Sequence, residues 1–315
     1  MLWNHWLEDP PKPPTQVTDI DMRILVGIDE YPESAAALRS AAELSNTLSA
    51  ELSIVHAAPM IRLAAFSVPD LPALRRDALT TISSVLRDRI GEWLKGSSWE
   101  GRDLSANLRV VEGEPAQVLA DEIDECGADM LMIGPHRKHG LLDFGNTMRK
   151  TFALAGKSIW VQVGEWKEPK VILAPIDLSA VGEAVMEHAR DLAKSFDARV
   201  EVIYCFPEPL FGYQSTWPDP GMMPTYVIDK IKAESLEKFE KAVDRFDWRG
   251  VAHDMSFVES QPVAGISEAA KGCDLIVMGQ HGEGWLSSTV MGSTAYAVLK
   301  HAPCSVLALR HIKTD

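Results

Sequence analysis

The sequence predicts an α/β protein with two tandem domains, each a doubly wound, five-stranded parallel sheet. Three observations support this prediction: an internal repeat, short apolar strands that alternate with helices of three or more turns, and a length of 315 residues, enough for about two domains. Strands separated by such helices are typical of βαβ units. Right-handed crossovers then place helices on both faces of each parallel sheet.

The internal repeat links the two halves of the chain at offsets of 145 to 148 residues. Three pairs of segments match: 22–45 with 169–195, 51–59 with 200–209, and 110–134 with 257–279. The first pair reads in both copies as an apolar strand (ILVGI and VILAP), an aspartate, a turn and an Ala-rich helix. The chain therefore contains two copies of one domain.

The repeat divides the chain into an N-terminal arm (1–21), a first domain (22–163), a linker (164–169) and a second domain (170–311). Short apolar runs predict the strands of the second domain near 171–176, 200–205, 253–258, 274–278 and 304–309. Helices are expected between them, near 180–195, 223–245, 263–271 and 293–300. Pairing of SIWVQV (158–163) with CSVLALR (304–310) would cover two apolar sheet edges that otherwise promote aggregation.

The composition is that of an ordinary soluble globular protein, with 46% hydrophobic and 24% charged residues. A formal net charge of −14 opposes nonspecific attraction to nucleic acid and to anionic membranes, so neither is expected as a partner. No apolar run reaches the roughly 20 residues of a membrane helix. The opening MLWNHWLEDPPKPPTQ lacks the features of a signal peptide, and we therefore expect a cytoplasmic protein.

The four cysteines are scattered, with no C-x-x-C pair and no zinc-ligand spacing. Cys126, Cys205 and Cys273 lie in or beside apolar segments, which predicts small, buried, hydrophobic side chains. His136 and His139 have no carboxylate or cysteine beside them at a ligand spacing, so we expect no metal site there.

A glycine-rich stretch, GQHGEGWLSSTVMGS (279–293), stands between the strand DLIVM and the last helix of the second domain. Because they lack a Cβ atom, Gly279 and Gly282 let the loop turn sharply and let a ligand lie against the backbone. The alternative is that these glycines simply form turns. The spacing matches neither the dinucleotide-binding fingerprint nor a P-loop, since no G-K-[ST] occurs.

The end of this stretch opens the last helix, where unpaired N–H groups and the helix dipole favour an anion. Ser293 is expected as the N-cap, and its hydroxyl and that of Thr294 are able to donate to a phosphate. Asp29 and Asp177 follow the first strands of the two copies and fall at the same, ligand-binding edge of the sheet. The geometry suggests a nucleoside phosphate with its base toward strand 1 and its phosphates at the last helix.

Gly279, Gly282 and Gly292-Ser293 together form a G-2x-G-9x-G-[S/T] motif, which is the signature of the nucleotide-binding universal stress proteins. The strand openings ILVGIDEYPES and VILAPIDLS and the element GEP (113–115) are also similar to those of the family. The resemblance extends over both copies, nearly the whole chain after the arm. The sequence therefore resembles a tandem universal stress protein of the UspE type, with the adenine nucleotide alpha hydrolase-like fold of that superfamily.

The resemblance implies that the second domain binds ATP, with Mg²⁺ bridging the phosphates through mostly water ligands. In the family, the aspartate after strand 1 contacts adenine, and this role transfers to Asp177. The positions that match family contacts with base, ribose and phosphates are Pro175, Asp177, Cys205, Met278, Gly279, His281, Gly282, Gly292, Ser293 and Thr294. No residue is expected to be catalytic or to ligate a metal directly.

The first domain departs from this motif. When the copies are aligned on their fourth strands, Arg137 stands at the position of Gly282, and Thr147-Met148 stand at those of Gly292-Ser293. Asp29 remains, but we expect the phosphate half of the site to be lost. The expected stoichiometry is therefore one ATP per chain, bound in the second domain.

We expect a regulatory or signalling stress protein that binds ATP with little or no turnover. Two alternatives remain: a slow ATPase or nucleotide hydrolase at the same site, and a scaffold that binds no nucleotide or that binds an apolar or other small ligand in its first domain. A different anion held by Arg137 and Lys138 is a separate option for the first domain. The expected assembly is an intramolecular pseudo-dimer of the two domains, with a homodimer and an unidentified protein partner as further options. The segment 210–226 is interpreted as a lid, a partner surface or an irregular connector.

Overall fold

The computed structural model of the chain describes residues 22–29, 31–58, 70–135, 137–138, 141–142, 146–207, 225–281 and 291–310. Several features singled out above lie outside these residues. They are the N-terminal arm, His136, His139, Gly282 and all but the last two residues of the segment 210–226. The side chains of Arg137 and Lys138 are also outside the description, so the anion site considered there stays a prediction.

The first domain alternates strands and helices as the sequence predicts. Its elements are β1 (Arg23–Ile28), α1 (Pro32–Leu48), β2 (Glu51–Ala58), α2 (Leu71–Trp93), β3 (Leu108–Glu112), α3 (Pro115–Cys126), β4 (Met130–Ile133), the short hairpin β5 (Arg137–Lys138) and β6 (Leu141–Leu142), α4 (Asn146–Leu154) and β7 (Ser158–Val161). Proline occupies the first turn of α1, α2 and α3, where its missing N–H costs no hydrogen bond. Gly127 ends α3 in the left-handed conformation, which glycine adopts without strain.

The second domain repeats the same order of elements. They are β8 (Val171–Pro175), α5 (Ala180–Phe196), β9 (Arg199–Phe206), α6 (Thr225–Arg245), β10 (His253–Glu259), α7 (Pro262–Ala269) with a short 3₁₀ turn (Ala270–Gly272), β11 (Leu275–Gly279), α8 (Ser293–His301) and β12 (Ser305–Leu309). These bounds confirm the predicted strands and helices of this copy to within about two residues. Ser179 caps α5, since its side chain accepts a hydrogen bond from the Val181 N–H.

Apart from the separate hairpin β5-β6, the strands form one sheet of ten strands in the order β10-β9-β8-β11-β12-β7-β4-β1-β2-β3. Neighbouring strands are parallel within each domain, and the junction of β12 with β7 is antiparallel. The five-stranded sheets predicted from the sequence are therefore joined edge to edge. In each domain the strand order reverses at the first strand, between β1 and β4 and between β8 and β11, and such switch points are where doubly wound sheets bind ligands.

The junction between the domains is nearly symmetric. Leu307 of β12 lies opposite Trp160 of β7 in the antiparallel register. On either side, the Val163 N–H donates to the Ser305 hydroxyl oxygen (3.1 Å) and the Arg310 N–H donates to the Ser158 hydroxyl oxygen (3.2 Å). The two serines are 147 residues apart, as are the two N–H donors, so a pseudo-twofold axis passes through the junction. The expected pseudo-dimer is present.

Apolar side chains alternate between the two faces of the sheet and form a core on each. Ile24 and Val26 belong to one apolar cluster and Leu25 to the other, as the two-residue period of a strand requires. Both clusters contain residues from the two domains, so the core is continuous across the junction. Trp160 is 1% exposed and is among the largest fully buried side chains. In the described ranges we find no helix with the length and apolarity needed to cross a bilayer.

Replacing Trp160 by alanine tests how much this junction stabilises the protein. The substitution removes a fully buried indole, whose N–H donates to Gln162 (2.9 Å), and leaves a cavity beside Leu307. We expect the free energy of unfolding to fall by about 3–5 kcal/mol, measured by urea denaturation. Trp93→Ala is the matched control, because Trp93 is only partly buried at the end of α2 and its loss should cost clearly less. Equal losses from both variants would contradict a special role for the junction.

Candidate functional site

A cavity of about 400 Å³ lies at the switch point of the second domain. Its walls come from the ends of β8, β9 and β11 and from the first turns of α5, α7 and α8. Ligand pockets in proteins typically measure roughly 300–1,000 Å³, so the cavity has room for a small molecule. It occupies the edge of the sheet where the first-strand aspartate and the glycine-rich stretch were expected to meet.

The structure gathers the predicted binding residues around this one cavity. Those that line it are Pro175, Asp177, Cys205, Met278, Gly279, His281, Gly292, Ser293 and Thr294. Gly282, the tenth predicted residue, lies outside the described part of the chain. The placement brings together three segments that are far apart in sequence. The binding role of each residue stays a prediction.

Asp177 is held in place by the turn that leads into α5. One of its carboxylate oxygens, Oδ1, accepts hydrogen bonds from both the backbone N–H (3.2 Å) and the hydroxyl (2.5 Å) of Ser179. Leu178 between them adopts a left-handed backbone conformation with φ of 61°. The same serine caps α5, so the position of the carboxylate is fixed to the start of that helix.

Gly279 is required by packing. A Cβ atom at this position would lie 2.5 Å from the Val181 side chain of α5 and 3.0 Å from the carbonyl oxygen of His281. The equivalent residue of the first domain, Gly134, is equally confined, because a Cβ atom there would lie 2.8 Å from the Glu33 carbonyl oxygen. The first glycine of the motif therefore lets the helix after strand 1 approach the end of strand 4, and its presence in both copies needs no ligand.

Gly292 is hydrogen-bonded to the residue that follows β11. Its N–H donates to the Gln280 carbonyl oxygen (2.9 Å), and a Cβ atom at Gly292 would lie 3.1 Å from that oxygen. Gly292 is also the N-cap of α8, in an extended conformation, so the expectation that Ser293 caps the helix is wrong. Because Ser293 is instead the first helical residue, the N–H groups of this turn lack acceptors within the helix and lie at the cavity wall.

The sequence offered no reason to single out Gln280. In the structure this residue forms hydrogen bonds to β12 and to the first domain. It is 1% exposed, and its backbone N–H donates to the Leu309 carbonyl oxygen (2.9 Å). Its side-chain amide donates to the carbonyl oxygens of Ala308 (3.3 Å) and of Lys157 in the first domain (3.5 Å). The repeat gave no signal for this role, since Pro135 stands at the equivalent position.

Pro262 and Gly182 also line the cavity and were not predicted. The signal for Pro262 was present, because it is the counterpart of Pro115 in the GEP element of the first domain. Gly182 lies in the first turn of α5, where a Cβ atom would come within 3.2 Å of Ile176 and 3.7 Å of the Asp177 carboxylate. A larger side chain at Gly182 would therefore disturb the aspartate.

The structure corrects the expected equivalence of the two glycine-rich stretches. Helix α4 begins at Asn146 and α8 at Ser293, an offset of 147 residues that is shared with the serines of the junction. Met148 is therefore the counterpart of Ala295, and Thr147-Met148 do not replace Gly292-Ser293. The expectation was wrong because it applied the offset of 145 residues, taken from strand 4, to residues beyond the loop. That loop is two residues shorter in the first domain.

The four cysteines are free thiols, but their burial differs from the expectation. Cys273 is buried, whereas Cys126 and Cys205 are half-buried. Desolvation raises the pKa of the Cys205 thiol to about 11 and that of Cys273 to about 12. No group of three or more His, Cys, Asp or Glu side chains suited to a metal ion occurs within the ranges that the structure covers.

The fold and the cavity define a tandem α/β protein with a cavity of small-molecule size at a sheet switch point. The sequence model of the Universal stress protein family matches this chain twice, over residues 22–161 and 169–310. The chain belongs to the universal stress protein family and carries two copies of its domain.

Individual relatives agree with this assignment. A universal stress protein of Methanocaldococcus jannaschii is 30% identical over 178 residues, which cover 53% of this chain and 100% of the relative. A universal stress protein of Mycolicibacterium smegmatis is 25% identical over 309 residues, covering 91% of this chain and 96% of the relative. The crystal structure of a universal stress protein from Archaeoglobus fulgidus matches with a TM-score of 0.66 at 12% identity, covering 93% of this chain and 99% of that one. The last likeness shows a shared fold.

Gly279→Ala tests the packing role of the first motif glycine. The added methyl group meets Val181 and a backbone carbonyl, so we expect a loss of about 1–3 kcal/mol in the free energy of unfolding. Gly156→Ala is the control, because a Cβ atom at Gly156 has no neighbour within 4 Å. Thermal or urea unfolding measures both variants. A Gly279→Ala protein as stable as the control variant would show that the close approach is relieved without cost.

The thiol of Cys205 reports on the cavity through its reactivity. Only the thiolate is alkylated readily, and a pKa raised to about 11 keeps the thiol protonated at pH 8. We expect the rate of iodoacetamide labelling of native Cys205 to be low at pH 8 and to rise toward pH 11, as followed by peptide mass spectrometry. Unfolded protein at pH 8 is the reference, and a native rate equal to it would contradict the desolvated environment.

Proposed function

We propose that this universal stress protein binds ATP in its second domain and acts as a regulatory protein with little or no turnover. The observation that carries the proposal is that nine of the ten predicted residues line one cavity. They lie at or just after the ends of β8, β9 and β11 and at the start of α8. We also propose a cytoplasmic location, to which the four free thiols are suited.

The donor set of the cavity suits the phosphates of a nucleotide. A protein with a net charge of −14 needs local hydrogen-bond donors to hold an anion. The N–H groups at the start of α8 and the hydroxyls of Ser293 and Thr294 are such donors, at the positive end of the helix dipole. Mg²⁺ would bridge the phosphates and keep several water ligands, as it usually does at such sites.

The opposite wall of the cavity suits the nucleoside. Ile203, Cys205 and Ile266 supply apolar or weakly polar surface for a planar base, and the Asp177 carboxylate is fixed beside them. Hydrolysis would require a base that activates water. Oδ1 of Asp177 already accepts two hydrogen bonds from Ser179 and so holds the turn into α5. We therefore favour binding over catalysis.

One experiment separates the functions at this site. The chain is purified gently and denatured, any released nucleotide is identified by mass spectrometry, and fresh protein is then incubated with ATP and Mg²⁺. One ATP per chain that persists for hours supports the binder. Repeated turnover would instead identify a slow ATPase, and the absence of binding at millimolar ATP would leave a scaffold function.

Gly282→Arg places in the second domain the residue that Arg137 provides in the first. The larger side chain should obstruct the phosphate path, and we expect ATP affinity to fall at least about 100-fold, roughly 2.7 kcal/mol, by calorimetry. The thermal stability of the ligand-free protein should stay unchanged. Arg137→Gly is the matched control and should leave ATP affinity as it is. An unaltered ATP affinity of the Gly282→Arg variant would overturn the role in phosphate binding that is assigned to this glycine.

A further inference from the structure

We infer that the first domain is a second ligand site, which takes an uncharged adenine nucleoside and excludes the nucleotide. This inference rests on the proposed function, because it transfers the nucleoside half of the ATP site to the other copy. It differs from that function in the ligand, the domain and the stoichiometry. Its basis is a comparison of the two cavities, position by position.

The first domain has its own cavity, of about 270 Å³, at the switch point between β1 and β4. It is the pseudo-symmetric counterpart of the cavity in the second domain. The equivalent pairs that line the two cavities are Ile28 and Ile176, Asp29 and Asp177, Val55 and Ile203, Ala57 and Cys205, Pro115 and Pro262, Gly134 and Gly279, and Thr147 and Thr294. The half of the site formed by the first two strands and the third helix is therefore present in both domains.

Asp29 offers a hydrogen-bond acceptor to this cavity. Its Oδ1 oxygen accepts hydrogen bonds from the Tyr31 N–H (2.9 Å) and the Ser34 hydroxyl (2.7 Å). Within the part of the chain that is described, the second carboxylate oxygen, Oδ2, has no hydrogen-bond partner. The surrounding walls are mostly apolar, with Ile28 and Val55 among them. A planar apolar body that carries an N–H donor, such as an adenine ring, fits this combination.

The other half of the cavity differs in the first domain. Met148 is buried and stands where the second domain has the small Ala295, at the first turn of the helix that would meet the phosphates. Leu119 packs against Gly27, where an added Cβ atom would lie 2.7 Å from a Leu119 methyl group. The first cavity is also the smaller of the two, about 270 Å³ against about 400 Å³.

An ion pair also links α3 to α4 in the first domain. Lys150 of α4 lies 3.5 Å from Glu114, which caps α3. The second domain has Ala297 and Gln261 at these positions, and neither side chain is able to form an ion pair. The pair is about half exposed and contributes little to stability. Its two residues directly neighbour Pro115 and Thr151, which line the first cavity, so this ion pair is a further difference between the two sites.

The charge and the size of the ligand follow from these differences. A triphosphate would have to displace Met148 and enter a loop that is two residues shorter than its counterpart. A nucleoside needs only the retained half, with Asp29 accepting a hydrogen bond and the apolar walls covering the base. The two domains would thus recognise the same base and differ in whether they accept phosphates.

Binding stoichiometry on the full chain tests this inference, with adenosine and ATP as the probes. Equilibrium dialysis of the wild-type chain should reach two adenosines and one ATP per chain. Ala57→Leu fills the first cavity and Asp29→Asn replaces the open acceptor by a donor, so each should remove one adenosine and leave ATP binding unchanged. Asp177→Asn is the matched control in the second domain and should remove the other adenosine. Circular dichroism confirms that each variant is folded.

The outcomes separate this inference from the proposed function. One ATP and only one adenosine per wild-type chain would overturn the inference and leave the proposed function standing. Two ATP molecules per chain would overturn the selectivity claimed for the first domain. If the wild-type chain bound no ATP but bound one adenosine, and Ala57→Leu abolished that adenosine binding, the result would support the site in the first domain and overturn the proposed function.

Discussion

The antiparallel pairing of β7 with β12 is the interaction on which the rest of the structure depends. It joins two parallel sheets into one and covers an apolar strand edge of each domain. It also fixes the pseudo-twofold axis, since the hydroxyl oxygens of Ser158 and Ser305 each accept a hydrogen bond from a backbone N–H of the other domain. Near this axis Arg149 of α4 stacks over the ring of Tyr296, its own counterpart in α8, at 5.1 Å. The helices that begin at the two cavities therefore meet at the junction.

Residues that serve the fold and residues that discriminate between ligands are mixed in the glycine-rich motif. Gly279 and Gly134 are confined by the neighbouring helix, and Gly292 is confined by the carbonyl oxygen of Gln280. Retention of such glycines in both copies says little about a ligand. The differences that bear on binding are the side chains at the cavity wall, with Met148 against Ala295 as the clearest case. Two copies in one chain make this distinction possible, because the fold is held constant.

Much of this arrangement could be predicted from the sequence, because its signals are local. Apolar runs and helix starts gave the elements, and the repeat gave the domains. The helix cap at Gly292 could not be predicted, since a glycine and a serine both favour that position. The change of the repeat offset from 145 to 147 residues across the loop could not be predicted either, because no local pattern marks a two-residue deletion. The role of Gln280 depends on Lys157 and Ala308, which are distant in sequence.

Gln280 ties the shape of the second cavity to the contact between the domains. Its backbone carbonyl oxygen holds Gly292, and its side chain reaches Lys157 of the first domain. Arg310 extends the link, since its guanidinium donates to Gln280 Oε1 (3.4 Å) and to the Phe152 carbonyl oxygen at the end of α4 (3.3 Å). Partial burial lowers the pKa of this guanidinium. A shift of Gly292 relative to Gln280 would therefore also affect hydrogen bonds across the junction, which couples the start of α8 to the contact between the domains.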